Sequence, residues 1–351
     1  MTRFYFTRII FAHGLFFIFS INCSFSQEFL WQAGTHSFFN NHEFPGSRVK
    51  SSQTMAGVHF APQIGLGYEG CHRAFVGIDA MSEFGSEKAV DYYSLMAYYR
   101  FDNKPFTFYM GSFPRKTALN RYPRMFFQDS VSNYRPLMNG MFLECRSKKD
   151  DYFNVWLDWT GRQTEKTREA FFIGWSGRYN KGIFYGEQFG YMFHFASSLK
   201  PAIPEYVNDN GLILTSIGID FADKTFLEKL DVNIGWSIGL ERDRGAGDGW
   251  QNPNGIVAEL KIEYKKVGLF NTLYSGQGQQ VRYNQHNNRL YWGDQTYRAS
   301  KYNRADLYIC FIKNSAVNVK LVYSLHFLEK KMFHEQALYA TFDLNNIGKI
   351  L

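Results

Sequence analysis

The stretch LDVNIGWSIGLE, Leu230 to Glu241, alternates apolar residues with polar or small ones without a break. Leu230, Val232, Ile234, Trp236, Ile238 and Leu240 share one face; Asp231, Asn233, Gly235, Ser237, Gly239 and Glu241 share the other. A period of two is the mark of a β-strand, in which successive side chains point to opposite sides. The run is also long. Ordinary strands have about 5–6 residues, whereas a tilted strand needs about 9–11 to cross a bilayer.

The pattern recurs on both sides of this stretch. Phe153, Val155, Leu157 and Trp159 stand opposite Asn154, Trp156, Asp158 and Thr160. Ile256, Ala258, Leu260, Ile262 and Tyr264 stand opposite Glu259, Lys261, Glu263 and Lys265. Val317, Val319, Leu321, Tyr323, Leu325 and Phe327 stand opposite Asn318, Lys320 and His326. Carried along the chain, the reading predicts strands at 29–39, 54–69, 72–85, 89–102, 105–113, 138–147, 152–161, 168–178, 182–195, 211–222, 228–241, 255–265, 267–275, 302–314, 316–328 and 332–345. That is about sixteen, within a range of about fourteen to eighteen, and bacterial barrels use even numbers. Short turns at 69–71, 102–104, 148–151, 180–182 and 265–268 alternate with longer loops at 41–53, 114–137, 196–210, 242–254 and 276–301. Outer-membrane barrels have short periplasmic turns and long outer loops; the short connections near Ser86 and Lys330 depart from that rule. The expected fold is all-β, a closed transmembrane antiparallel barrel with both termini in the periplasm. Only helices and closed barrels satisfy their own backbone in lipid.

Composition agrees. Of 351 residues 19% are aromatic, with 35 Phe, 23 Tyr and 7 Trp. Membrane barrels carry such rings as girdles at both interfaces. A charged fraction of 20% and a mean hydropathy of −0.34 fit strands with one polar face. The net charge of +7 comes without a basic run or an aromatic-basic motif, so no nucleic-acid partner is expected.

Met1 to Ser26 reads as a secretory leader: Arg3 and Arg8 precede the apolar run Ile9–Ile21, and Ser24-Phe25-Ser26 forms a small-x-small cleavage site. Residues 27–351 then form one barrel domain, expected in the bacterial outer membrane among lipid and lipopolysaccharide, inserted by the barrel-assembly machinery. The chain ends on Ile350-Leu351, not on the terminal aromatic residue that many barrels present to that machinery. Cys71, Cys145 and Cys310 lie far apart with no CxxC spacing and read as buried thiols.

Hydrolytic chemistry on such a barrel needs Ser and His near the outer leaflet. His194 with Ser197, and Ser324 with His326, are the candidates; the second pair sits at i, i+2 on one strand face. No GxSxG elbow, HExxH or phosphate-binding loop occurs. His36 and His59 come opposite each other across the first hairpin but lack a third ligand. The reading is therefore of a protein that is not an enzyme and carries no cofactor or metal, with lipid modification a third choice.

Two loops stand out. Residues 114–137 hold Arg115, Lys116, Arg121, Arg124 and Arg135 against the single acid Asp129. Residues 277–304 combine arginines with rings, and Arg289, Tyr291, Trp292 and Tyr297 are candidates for contacting a glycan. In strand count and loop order the chain resembles the general porins, whose third outer loop also follows the fifth strand and folds inward. The resemblance implies that 114–137 is a constriction whose arginines favour anions. The other reading is a surface loop pairing with lipopolysaccharide phosphates. The expected function is passive diffusion of small hydrophilic solutes, anionic ones included; the alternative is a polysaccharide-binding or capsule-assembly barrel with its lumen closed by loops.

Overall fold

The computed structural model describes residues 27–147, 151–247 and 249–347. The leader with its cleavage site, turn residues 148–150 and the terminal Ile350-Leu351 lie outside the described residues.

Sixteen strands form one closed antiparallel barrel, each pairing with its neighbours in sequence and β1 also with β16. They are β1 Gln27–Glu43, β2 Gln53–Tyr68, β3 His72–Glu83, β4 Tyr92–Asn103, β5 Phe106–Pro114, β6 Leu137–Arg146, β7 Tyr152–Gly161 and β8 Ala170–Lys181. The second half comprises β9 Phe184–Phe195, β10 Asn208–Asp220, β11 Lys229–Asp243, β12 Asn254–Tyr264, β13 Val267–Gly276, β14 Lys301–Lys313, β15 Val317–Leu328 and β16 Lys331–Asn345. Closure leaves no edge strand with unpaired backbone groups. β1 begins and β16 ends on the rim that carries the short turns.

The faces follow the alternation. On β11, Val232, Ile234 and Trp236 are 45%, 51% and 59% exposed, whereas Asn233 and Ser237 are 4% and 0%. Rings cover the outward face elsewhere too, among them Phe60, Phe153, Trp159, Tyr179 and Phe184. Among the described residues no helix is long and apolar enough to cross a membrane. The described cysteines correct the sequence reading: of Cys71, Cys145 and Cys310, only Cys310 is buried, Cys71 is half-buried, and Cys145 is exposed on the outward face of β6.

One turn has consequences for the site. Leu328 pairs with Lys331, so the β15–β16 hairpin turns on two residues, Glu329 and Lys330, with φ of 53° and 61°. Positive φ at both central positions is the tight-hairpin geometry that matches strand twist. It sets the register of β15 on β16.

Candidate functional site

The loop after β5 enters the barrel and spans it. It makes two short helical segments, Lys116–Leu119 and Asp129–Tyr134. Tyr122 donates to the carbonyl of Trp175 on β8 at 2.6 Å and accepts from Trp156 Nε1 on β7 at 3.0 Å. On the far side Asn133 meets His36 of β1 at 3.4 Å, and the Tyr134 ring packs edge-on against Phe38. The loop 277–300 joins it. Gln128 donates its amide to the Trp292 carbonyl and Asp294 to the Arg124 carbonyl, both at 2.9 Å. Phe113, Met125, Phe126, Leu290, Tyr291, Trp292 and Tyr297 are buried in one core with the inward rings of β7 to β9. Each such side chain contributes about 1.5–3 kcal/mol by leaving water, which is why these loops dock. Together they plug the lumen toward the long-loop rim.

The five basic residues of the first loop take different places. Arg115 pairs with Asp158 of β7, donates to the Arg135 and Leu137 carbonyls, and lies over the Trp292 ring. Arg135 also lies over the Trp292 ring, 4.1 Å from its centroid. Arg124 bridges Asp129 and Asp306 of β14, both at 2.9 Å. Arg121 donates to Glu144 at 2.7 Å and lies over Tyr152. Lys116 is exposed. Of the second loop's four candidates, Tyr291, Trp292 and Tyr297 are 2–3% exposed, so they offer no ring face to a glycan; Arg289 alone is exposed. That corrects the glycan-contact reading: these rings form the inside of the plug. Sequence alone does not separate the two, because rings suit sugar faces and protein cores equally well.

Where plug and wall meet, charges are buried in pairs. Arg304 of β14 bonds Asp306 at 2.6 Å and reaches Glu335 of β16 at 3.3 Å. Lys50 reaches Asp294 at 3.2 Å. Burial would raise the Asp294 carboxyl, but Lys50, Arg304 and the Thr296 amide hold it far below the usual carboxylate range. In the same loop, burial and the facing Glu241 push the Tyr291 hydroxyl well up, so it stays protonated and donates to Glu241.

The Ser/His candidates divide. Ser324 and His326 both face inward and are fully buried. Ser324 accepts from Arg304 at 3.1 Å, whereas His326 bonds Tyr302 at 2.8 Å and Glu335 at 3.1 Å under the Phe44 ring. This pair belongs to the buried polar cluster where plug and wall meet, and no substrate reaches it. His194 points outward, its ring stacked on Phe171 at 4.9 Å. Ser197 lies beyond the strand end, its carbonyl accepting from Gln163. His36 and His59 are register partners with ring centroids 6.2 Å apart, and His59 bonds Asp79 at 2.6 Å. Among the described residues no group of three or more His, Cys, Asp or Glu could hold a metal.

A further histidine escaped the sequence reading. His334 of β16 faces outward near the long-loop rim, its Nδ1 2.6 Å from the Tyr323 hydroxyl. Its register partner on β1 is Glu43. Asn41 donates to Glu43 and to Gln336 at 2.8 Å each, and accepts from Thr54 at 2.7 Å. Below this patch the outward face turns apolar, with Phe39, Leu321 and Leu338 exposed. The two-residue turn at 329–330 was the available signal: it pairs Leu325 with His334 and so sets Tyr323 diagonally beside it.

Beneath the plug lie two adjoining cavities. One of about 350 Å³ runs under Tyr122, Asp294 and Tyr297. The other, about 900 Å³, opens at the short-turn rim between Gly182 and Ala222. Asn120, Arg121, Glu187, Phe189 and Lys261 line both.

In fold the chain is similar to Pseudomonas putida OprB, with TM-score 0.51 and 10% identity over 91% of this chain and 94% of that one. It is similar to an outer membrane protein of Vibrio cholerae, OmpT lacking loop L8, with TM-score 0.55 and 7% identity over 91% and 100%. A third such structure is Pseudomonas aeruginosa OccK2, with TM-score 0.50 and 9% identity over 92% and 99%. At these identities the likeness shows a shared barrel. No curated protein matches the sequence. A family described as "Lipid A 3'-O-deacylase-type" matches residues 21–347. This overturns the expectation that the chain is not an enzyme, and it replaces the general porins as the family. Serine–histidine pairs close in sequence do not reveal such a site, because a barrel joins residues of different strands. Matched along nearly its whole length, the chain belongs to the lipid A 3'-O-deacylase-type family.

Proposed function

We propose that the protein is an outer-membrane enzyme that hydrolyses an acyl ester of a lipid A-type glycolipid at the outward patch around His334. The observation that carries the reading is the family match over residues 21–347. Access selects the site: the ester of a membrane lipid lies outside the barrel, at the level where the wall passes from apolar to polar. The Tyr323–His334 pair is there, and His326 is sealed inside. With Nδ1–H donating to the Tyr323 oxygen, Nε2 of His334 keeps its lone pair and acts as base. It takes a proton from water as the water oxygen attacks the ester carbonyl. The tetrahedral intermediate breaks its bond to the sugar oxygen, and His334 gives that oxygen the proton. Glu43, opposite on β1, favours the transient imidazolium. The test is release of fatty acid from purified lipid A by the protein in detergent micelles. Full activity in His334→Ala would place the chemistry elsewhere; no release by the unaltered protein would remove the reading.

A second reading, a diffusion channel with 114–137 as its constriction, is favoured by the two cavities beneath the plug. It requires the plug to yield. Planar-bilayer recordings decide it: ohmic conductance, with reversal potentials shifted toward cations by the double change Arg121→Glu and Arg124→Glu, supports it, and a silent bilayer counts against it.

A further inference from the structure

We infer that the cavity at the short-turn rim is a binding site for a small soluble polyanion, a di- or tricarboxylate or a phosphate compound. Neither the outward patch nor the family match bears on it, so it stands apart from the deacylation reading. The cavity measures about 900 Å³, within the ~300–1,000 Å³ of ordinary ligand pockets. Arg121, Arg146, Arg178, Lys229 and Lys261 line it, with Glu187 and Asp220 the only acids among its lining residues.

The arrangement of layers matters more than the count. Apart from Glu187, the acids that hold these cations are buried and lie outside the cavity lining. Glu144, 1% exposed, takes Arg121 and Arg146; Glu259, 8% exposed, takes Lys261 at 3.3 Å. Arg178 lies between Glu187 of the cavity lining at 3.5 Å and the buried Asp231 at 4.0 Å. Arg121, Arg146 and Lys261 thus each meet a buried carboxylate that is not part of the cavity lining, and their side chains still line the cavity. Two guanidiniums are also held flat, Arg121 at 3.9 Å from the Tyr152 centroid and Arg178 at 3.5 Å from that of Tyr185. Stacking fixes their planes before a ligand arrives, so little side-chain entropy is lost on forming forked bonds to a carboxylate or phosphate. Arg121 comes from the plug and the others from the wall, so a polyanion here touches both.

Isothermal titration of the full-length protein in detergent micelles with citrate and with pyrophosphate, at low salt, tests the site. At least one probe should bind, more weakly as salt rises. Arg178→Gln and Arg146→Gln should each weaken it about tenfold, the loss of one charge-assisted bond. Arg298→Gln, at the opposite rim, should leave binding unchanged. Binding of citrate alone assigns a carboxylate ligand and of pyrophosphate alone a phosphate; both support the site. Heat-modifiable migration on gels identifies any variant that fails to fold, and Arg146, more exposed than Arg178, is the safer of the two. Absence of binding by both probes, or binding by correctly folded Arg146→Gln and Arg178→Gln proteins as tight as that of the unaltered protein, overturns the inference.

Discussion

Arg124, in the middle of the loop after β5, donates to Asp306 on β14 at 2.9 Å across a sequence separation of 182 residues. Its Nε bonds Asp129 of its own loop, so one guanidinium ties plug to plug and plug to wall. Arg124→Ala should loosen the plug at a cost of about 1–3 kcal/mol, the range for a hydrogen bond to a charged group, reduced by its partial exposure. Acrylamide quenching of tryptophan fluorescence should then rise, because Trp292 lies in the plug. Unchanged quenching would show that the pair does not hold the loop.

Asp294 gives the plug a pH dependence. Its carboxyl is held far below the usual carboxylate range by Lys50 and Arg304 against the effect of burial. A folded-state value below the unfolded one, about 3.9 for Asp, means stability that is complete above the unfolded value and lost as pH falls toward the folded one. The contribution of this residue should persist at pH 5 and fade only below about 4. Asp294→Asn should remove it at neutral pH and strand the buried Lys50, costing about 3–5 kcal/mol. Unfolding curves of both proteins between pH 7 and 3 make the comparison; identical curves would count against the assignment.

The membrane reading of the outward face has a depth signature. Ile234 lies near the middle of β11 and Leu230 near its short-turn end, both outward. Arginine at Ile234 should cost about 2–4 kcal/mol and at Leu230 about 0–1 kcal/mol, as cations do at the midplane and the interface. Reversible unfolding from lipid vesicles gives both values. Equal costs would contradict a bilayer centred on this band.

For the proposed hydrolysis, His334→Ala should lower the rate by about 10²–10⁴-fold, the range for a positioned general base. Tyr323→Phe removes the oxygen 2.6 Å from Nδ1 but keeps the ring. It should reduce turnover with little change in stability, since the pair is exposed. Measured fatty-acid release with parallel melting curves separates the two effects; equal loss of fold and activity would make the tyrosine structural.

The alternation of single strands carried the barrel. Leu230 to Leu240 point outward as their period required, and closure followed because sixteen such strands in lipid must have no edge. Local pattern suffices there, since each strand meets the same two environments along its length. The long loops were visible as loops, and their charge and rings as unusual. Their destination was not. Trp292 became core because Arg115 and Arg135 lie over its ring and Phe172 packs edge-on to it at 4.9 Å, partners between 120 and 177 positions away that no local rule selects. The same holds for chemistry. His326 and His334 sit eight residues apart with comparable neighbours in sequence, yet one is sealed beneath Phe44 and the other opens outward beside Tyr323. What the chain alone determined is which faces its strands have. Which polar residues meet across those faces was decided only by register and by the loops that fill the lumen, because contacts between strands and plug form at long sequence separation, where only the closed barrel brings the groups together.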